Sequence, residues 1–189
     1  MTPQKAPVRI DPEASRDQAV IRTGRLTLRP VRRADMGLIE HYTGDKRVAG
    51  MTTSIPHPLP PGAADAFVTR CLNGVRDETV WAMDATEAGL GELVGLMSLE
   101  TMDRGQAEIG YWVAPVVWNT GLATEALRGL MDANPLGNSQ VFGKVFQDNP
   151  ASARVLTNAG FDYIGDAEAF CVARGAVVPQ WTYIRQMGG

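Results

Sequence analysis

The stretch with the clearest capacity for chemistry is Trp118-Asn119-Thr120-Gly121-Leu122-Ala123. Before it, Glu108 to Val113 is rich in β-branched and aromatic residues and is stopped by Pro115, which predicts a strand. After it, Ala123 to Met131 consists almost entirely of good helix formers. A strand, a short glycine turn and a helix in that order leave unpaired N–H groups at the helix start. Together with the helix dipole they favour a phosphate. Many α/β proteins carry a glycine between strand and helix, so this stretch alone predicts an anion site and no particular reaction.

A second stretch narrows the chemistry. Asn149-Pro150-Ala151-Ser152 follows a predicted strand at Gln140 to Phe146, with Asn149 able to cap a helix whose first residue is Pro150 and Gly160 able to end it. Taken together, the two stretches resemble the GNAT superfamily of acyl-CoA-dependent N-acetyltransferases. In that family the first turn reads Gln/Arg-x-x-Gly-x-Gly/Ala and cradles the pyrophosphate of coenzyme A. Gly121 and Ala123 match its last two positions, and Trp118 stands where Gln or Arg is usual. Arg25-Leu26-Thr27-Leu28-Arg29-Pro30, Glu108-Ile109-Gly110-Tyr111-Trp112, Ala123-Thr124-Glu125-Ala126, Asn149 to Ser152 and Gly160-Phe161 are similar to the branch that acetylates ribosomal-protein N-termini. The likeness runs over roughly residues 23 to 186, in order and spacing. It implies an α/β fold with a mixed, mostly antiparallel sheet of about seven strands and helices on both faces. It also implies acetyl-CoA as co-substrate, no metal, and a primary amine as acceptor, either a protein N-terminus or a small amine. A homodimer is common in the family.

Roles follow from the resemblance by position. The backbone at Trp112 and Val113 is expected to pair with the pantetheine arm as an added strand. Trp118, Asn119, Thr120, Gly121, Leu122, Ala123 and Thr124 are expected to hold the pyrophosphate, with the hydroxyls of Thr120 and Thr124 as further donors. Asn149 is expected to bond the pantetheine while capping its helix. Many members carry a tyrosine seven residues after this asparagine, acting as acid toward the departing thiolate, but here that position is Leu156. Ser152 is the expected replacement, because a hydroxyl can donate to sulfur without holding charge. A plain helix-surface serine is the alternative.

Making an amide from a thioester requires an unprotonated amine, a polarised carbonyl and a neutralised thiolate. At pH 7 an α-amine of pKa about 7.8 costs about 1 kcal/mol to deprotonate, and a lysine of about 10.4 costs about 5 kcal/mol. An enzyme acting on N-termini therefore needs only a modest base. Glu108, on the strand leading to the turn, is the expected base. A salt bridge across the sheet, to Arg104 or Arg128, is the alternative reading of Glu108, and Glu100 and His41 are lesser candidates. Met51, Ser54 and His57, from the proline-rich stretch Val48 to Gly62, are expected with Tyr111 to meet the acceptor. That loop shows no acidic cluster to hold a polycation. Neither cofactor stretch contains a cysteine, which favours direct attack in a ternary complex over an acyl-enzyme. A different class of reading is an acyl-CoA-binding sensor or interaction domain that kept the fold and lost turnover.

These side chains need a scaffold, and 189 residues at 44% hydrophobic suffice for one core. We expect a flexible arm over residues 1–22 and a single domain over 23–189. The formal charge of −3 gives no support for a nucleic-acid partner, and the basic cluster Arg29 to Arg33 reads as a solvated face. No apolar run approaches a membrane span and the N-terminus lacks a signal-peptide core, so a cytoplasmic location is expected. Cys71 and Cys171 form neither a disulfide framework nor a metal spacing, and read as small buried residues. Strands are predicted at Arg25–Val31, Thr79–Asp84, Glu92–Leu99, Phe161–Ile164 and Val178–Arg185 besides those above. Helices are predicted from Asp35 and over Ala63–Val75, and Asp166 to Gly175 is left as a loop or distorted strand.

Overall fold

The computed structural model of the chain describes residues 18–74 and 77–188. In chain order the strands are β1 (Ile21–Arg22), β2 (Thr27–Pro30), β3 (Glu78–Asp84), β4 (Gly95–Thr101), β5 (Gln106–Val113), β6 (Gln140–Phe146), β7 (Asp162–Cys171) and β8 (Ala176–Gln186). The helices are α1 (Met36–Thr43), α2 (Lys46–Ala49), α3 (Ala63–Asn73), α4 (Leu122–Ala133) and α5 (Pro150–Asn158). All eight strands form one sheet in the order β1-β2-β3-β4-β5-β6-β8-β7, antiparallel throughout except for the parallel pair β5 and β6.

The larger core buries Leu28, Met83, Met97 and Ile109 against Leu122, Leu127, Leu130 and Leu156, so α4 and α5 cover one face. The smaller core packs Val80, Ala82 and Leu96 against Ile39, Ala64 and Val68, so α1 and α3 cover the other. Among the described residues no helix is long and apolar enough to cross a membrane.

Three expectations change. The mixed, mostly antiparallel sheet is as expected, and Ile21–Arg22 joins it as β1 by pairing with Thr27–Leu28. The expected arm therefore gives way by Gln18, whose side chain donates to the Val80 carbonyl at 2.8 Å, while Ala19 accepts from the Trp81 indole at 2.9 Å. Residues 1–17 of that arm lie outside the described residues. Asp166 to Cys171 continues β7 as a regular strand, with an irregularity between Tyr163 and Gly165. An edge strand with one face in solvent carries a weak apolar pattern, which is why this part escaped the sequence reading.

The third change concerns Arg29, which is buried and not solvated, at 4% exposure. Its Nη1 and Nη2 reach both oxygens of Asp35 at 2.9 Å, and its Nε reaches Asp84 at 2.8 Å. The remaining two donors meet the carbonyls of Pro30 and Glu92 at 3.1 and 2.9 Å, so all five guanidinium N–H groups are used. Burial works against the charge, but the bonds to Asp35 and Asp84 outweigh it and raise the Arg29 pKa. This cluster ties β2 to β3, to the start of α1 and to the entry of β4.

Candidate active site

β5 and β6 pair only from Gln106↔Gln140 to Ile109↔Gly143. Beyond that point they part, β5 staying with β4 and β6 staying with β8. The edge of β5 from Gly110 to Val113 is thereby left without a neighbouring strand, the arrangement that accepts an extended ligand. Two clefts meet at this gap and share Met51, Tyr111, Trp112, Asn149 and Ser152 among their walls.

The cleft at the start of α4, about 510 Å³, is bounded by Val113, Trp118, Asn119, Gly121 to Thr124 and the first turns of α5. Asn119 and Gly121 both take positive φ, 61° and 79°, and Gly121 is the residue on which α4 begins. A glycine meets this geometry without steric cost. Among the described residues no side chain caps α4, so the N–H groups of its first turn are orphaned, as at helix starts that accept anions.

The predicted turn residues divide here. Asn119, Gly121, Leu122, Ala123 and Thr124 line the cleft, but Thr120 does not. Its hydroxyl donates to the Val117 carbonyl at 2.6 Å and holds the turn together. Trp118 lines the cleft and is 43% exposed. Its indole donates to the Val113 carbonyl at 2.8 Å, and the Arg47 guanidinium lies 5.6 Å from its ring centroid.

The turn is braced from the β1–β2 connection. Glu125 accepts from the Thr23 hydroxyl at 2.6 Å, from the Arg25 N–H at 2.6 Å and from Arg25 Nε at 2.7 Å. Arg25 also donates to the Thr120 carbonyl at 3.0 Å. Burial pushes the Glu125 carboxyl upward, but the bonds from Thr23 and Arg25 outweigh it and hold it below its ordinary 4.5. The stability that Glu125 adds is therefore complete above about pH 4.5 and lost as pH falls through the lower folded value. Glu125→Gln is expected to lower Tm at pH 7 by a few degrees, and the gap between variant and native protein should close in acid. A gap that does not change between pH 7 and pH 3 would show that this carboxylate is not the brace.

On α5, Asn149 accepts from the Ser152 N–H at 3.2 Å and Pro150 takes the first position, as the sequence predicts. Leu156 is fully buried, so the helix turns Asn149 and Ser152 toward the cleft and Leu156 into the core. Ser152 Oγ lies 2.7 Å from Tyr111 Oη, and the phenol also reaches the Ser152 carbonyl at 3.1 Å. The hydroxyl of Tyr111 thus engages Ser152 instead of standing free for an acceptor. Burial drives the Tyr111 pKa well above its ordinary value, the Ser152 bond opposing, so the phenol keeps its proton at any physiological pH.

The second cleft, about 460 Å³, lies on the α1–α3 face and is roofed by the proline-rich loop. Met51 and Ser54 line it, but His57 does not, and the His57 Nδ1 is enclosed with no partner among the described residues. Glu108 enters from β5 with an ion pair to Lys144 at 2.7 Å, not to Arg104 or Arg128. Arg128 instead bonds the Asn158 carbonyl. Glu100 is exposed beside Glu108 on β4, and His41 is exposed on α1. Of the four tryptophans, Trp112 lines both clefts and Trp81 is fully buried in the core.

Sequence reasoning missed the residues that close this cleft. Arg174, in the β7–β8 turn, donates to the Gly50 carbonyl at 2.7 Å and to Asp148 at 2.6 Å. Val172 N–H meets the Thr53 carbonyl at 3.0 Å, and the thiol of fully buried Cys171 meets that of Thr52 at 3.2 Å. Cys71 is half-buried on α3, and burial first, then nearby Glu78, raises its thiol to about 11. Long-range clasps of this kind leave no local sequence signal. Gln180, also missed, carried one: a polar residue at an inward position of an alternating strand, two residues after buried Val178.

A sequence model of the acetyltransferase (GNAT) domain matches residues 25–162. The uncharacterized N-acetyltransferase p20 of Bacillus licheniformis is 25% identical over 168 residues, covering 85% of this chain and 92% of that protein. The uncharacterized N-acetyltransferase YoaA of Bacillus subtilis (strain 168) is 32% identical over 88 residues, and this match spans 44% of the chain and only 50% of the relative. Among solved structures, Mycobacterium smegmatis RimJ in complex with CoA-disulfide superposes with a TM-score of 0.74 at 21% identity, over 89% of this chain and 86% of that one.

Proposed function

Because the chain belongs to the GNAT acetyltransferase family, we propose that it transfers an acetyl group from acetyl-CoA to a primary amine, a protein N-terminus or small amine, by direct attack in a ternary complex. The observation that carries this is the parting of β5 and β6, with an anion-accepting helix start on one side and Glu108 on the other. In this reading the N–H groups of Asn119 to Thr124 receive the pyrophosphate, with Thr120 bracing the turn from behind. The free edge of β5 around Trp112 and Val113 takes the pantetheine, and Asn149 orients it. The thioester then sits in the gap between the two clefts.

The acceptor amine enters through the cleft under the proline-rich loop. Glu108, oriented by Lys144, removes its proton directly or through water, a task of about 1 kcal/mol for an α-amine at pH 7. Ser152 donates to the sulfur as the thiolate leaves, with Tyr111 holding its hydroxyl in place. The reading assigns this activity to one domain over residues 23–189, acting in the cytoplasm. A catalytically weak acyl-CoA-binding domain is the competing reading. It is favoured by the same Lys144–Glu108 pair, which engages the expected base.

Calorimetric titration with acetyl-CoA and CoA, followed by thiol release against peptides, amino acids, polyamines and aminoglycosides, separates the two. Micromolar binding with release on one amine class is expected. Glu108→Gln should then lower kcat about thirtyfold or more and leave the acetyl-CoA Kd unchanged. Binding without release on any amine would favour the sensor, and no binding would remove the pyrophosphate assignment of the turn.

A further inference from the structure

The cleft under the proline-rich loop is lined by a buried glutamine whose side-chain amide has no partner among the described residues. Gln180 on β8 lines this cleft and is 3% exposed. It stands opposite Phe146, two residues along from the Lys144↔Thr182 pair, so its side chain leaves the sheet on the face that carries Lys144 and Glu108. The Gln180 carbonyl accepts from the Gln147 side chain at 3.3 Å. Among the described residues its side-chain amide makes no hydrogen bond. Unlike His57 Nδ1, that amide is not sealed off by surrounding atoms.

An amide that opens into a cleft is paired by whatever fills that cleft, and a site that hydrogen-bonds its ligand there discriminates against ligands lacking the matching groups. The charged groups nearby do not serve Gln180. Glu108 is held by Lys144, and Glu78 lies 3.9 Å from Arg70, so two carboxylates face two cations and the cleft has no net charge to hold a polycation. Gln180 offers donors and an acceptor together. An alkylammonium only donates and a carboxylate only accepts, so each would leave half of Gln180 unsatisfied. A secondary amide matches both halves at once.

We infer that Gln180 is an acceptor-binding residue that pairs with an amide next to the reacting amine, which makes amino-acid amides and peptides the preferred acceptors. The inference rests on the N-acetyltransferase reading. It is tested with three acceptors of equal length: a short peptide, its analogue with the first amide replaced by an ester, and a simple alkyl amine. Each is assayed with the full-length native protein, Gln180→Leu and the near-isosteric Gln180→Glu, with acetyl-CoA affinity measured on all three proteins.

The native protein should prefer the amide to the ester by about ten- to a hundredfold in kcat/KM. Gln180→Leu should lose that preference, whereas Gln180→Glu, which still accepts from the amide N–H, should keep it, and both should bind acetyl-CoA as before. Equal use of amide and ester by the native protein would overturn the inference, as would a preference that survives in Gln180→Leu. Turnover of alkyl amines but not peptides would overturn it and leave acetyl transfer standing. Acetyl-CoA binding with no turnover of any amine would sink the transfer reading together with it.

Discussion

Ser152→Ala is expected to lower kcat about a hundredfold, with acetyl-CoA affinity changed by no more than about threefold. The serine sits at the third position of α5, where its N–H is bonded to Asn149 and its hydroxyl to Tyr111. It is therefore pre-oriented from two directions. Tyr111 keeps its proton because burial raises its pKa, and when that single proton turns from the Ser152 carbonyl to Ser152 Oγ the serine proton is free for the sulfur. In the proposed reaction this couple would neutralise the thiolate by hydrogen bonding from a fixed donor. Tyr111→Phe should accordingly cost less than Ser152→Ala, about tenfold in kcat, because the serine remains and only its orientation loosens. A single-turnover assay with saturating acetyl-CoA isolates the step. An unchanged rate in Ser152→Ala would reduce this serine to a helix residue and leave the thiolate to water.

Arg29→Met is the substitution expected to do most damage to the fold. It leaves Asp35 and Asp84 without their cation in a site where Arg29 and Asp35 side chains are 5% and 3% exposed. Removing one partner of a buried ion pair costs about 3–5 kcal/mol, because the charge left behind has lost both water and partner. For a chain of this size that corresponds to a fall in Tm of roughly 10 °C or more. The loss should be repaired in part by the double variant Arg29→Met/Asp35→Leu, since an apolar pair avoids the stranded charge. Calorimetric melting at pH 7 checks both. If the double variant melts no higher than the single one, the damage comes from lost packing and not from the uncompensated carboxylate. Arg29 lines neither cleft, so melting and catalysis should separate cleanly in these variants.

Some of this protein is decided by local sequence. The turn at Trp118 to Ala123 was legible because a positive φ asks for glycine and a helix start leaves donors bare, and both are properties of neighbours in the chain. Asn149 and Pro150 announced α5 for the same reason, and the structure has that cap and that first residue where the residue types put them. The family, the mixed sheet with helices on both faces and most element positions followed from such short-range signals.

What the tertiary structure decided is who meets whom. Glu108 was visible as a carboxylate on β5, but its partner Lys144 comes from a parallel neighbour 36 residues away. Arg29 read as one more surface cation until β3 and α1 closed over it with two carboxylates. Tyr111 and Ser152 lie 41 residues apart and meet only where α5 packs under β5. Arg174 reaches the proline-rich loop from the far end of the sheet. Conformational preference is a property of adjacent residues and can be read along the chain. Charge compensation, proton position and the closing of a cleft depend on distances that exist only once the sheet has brought remote strands together.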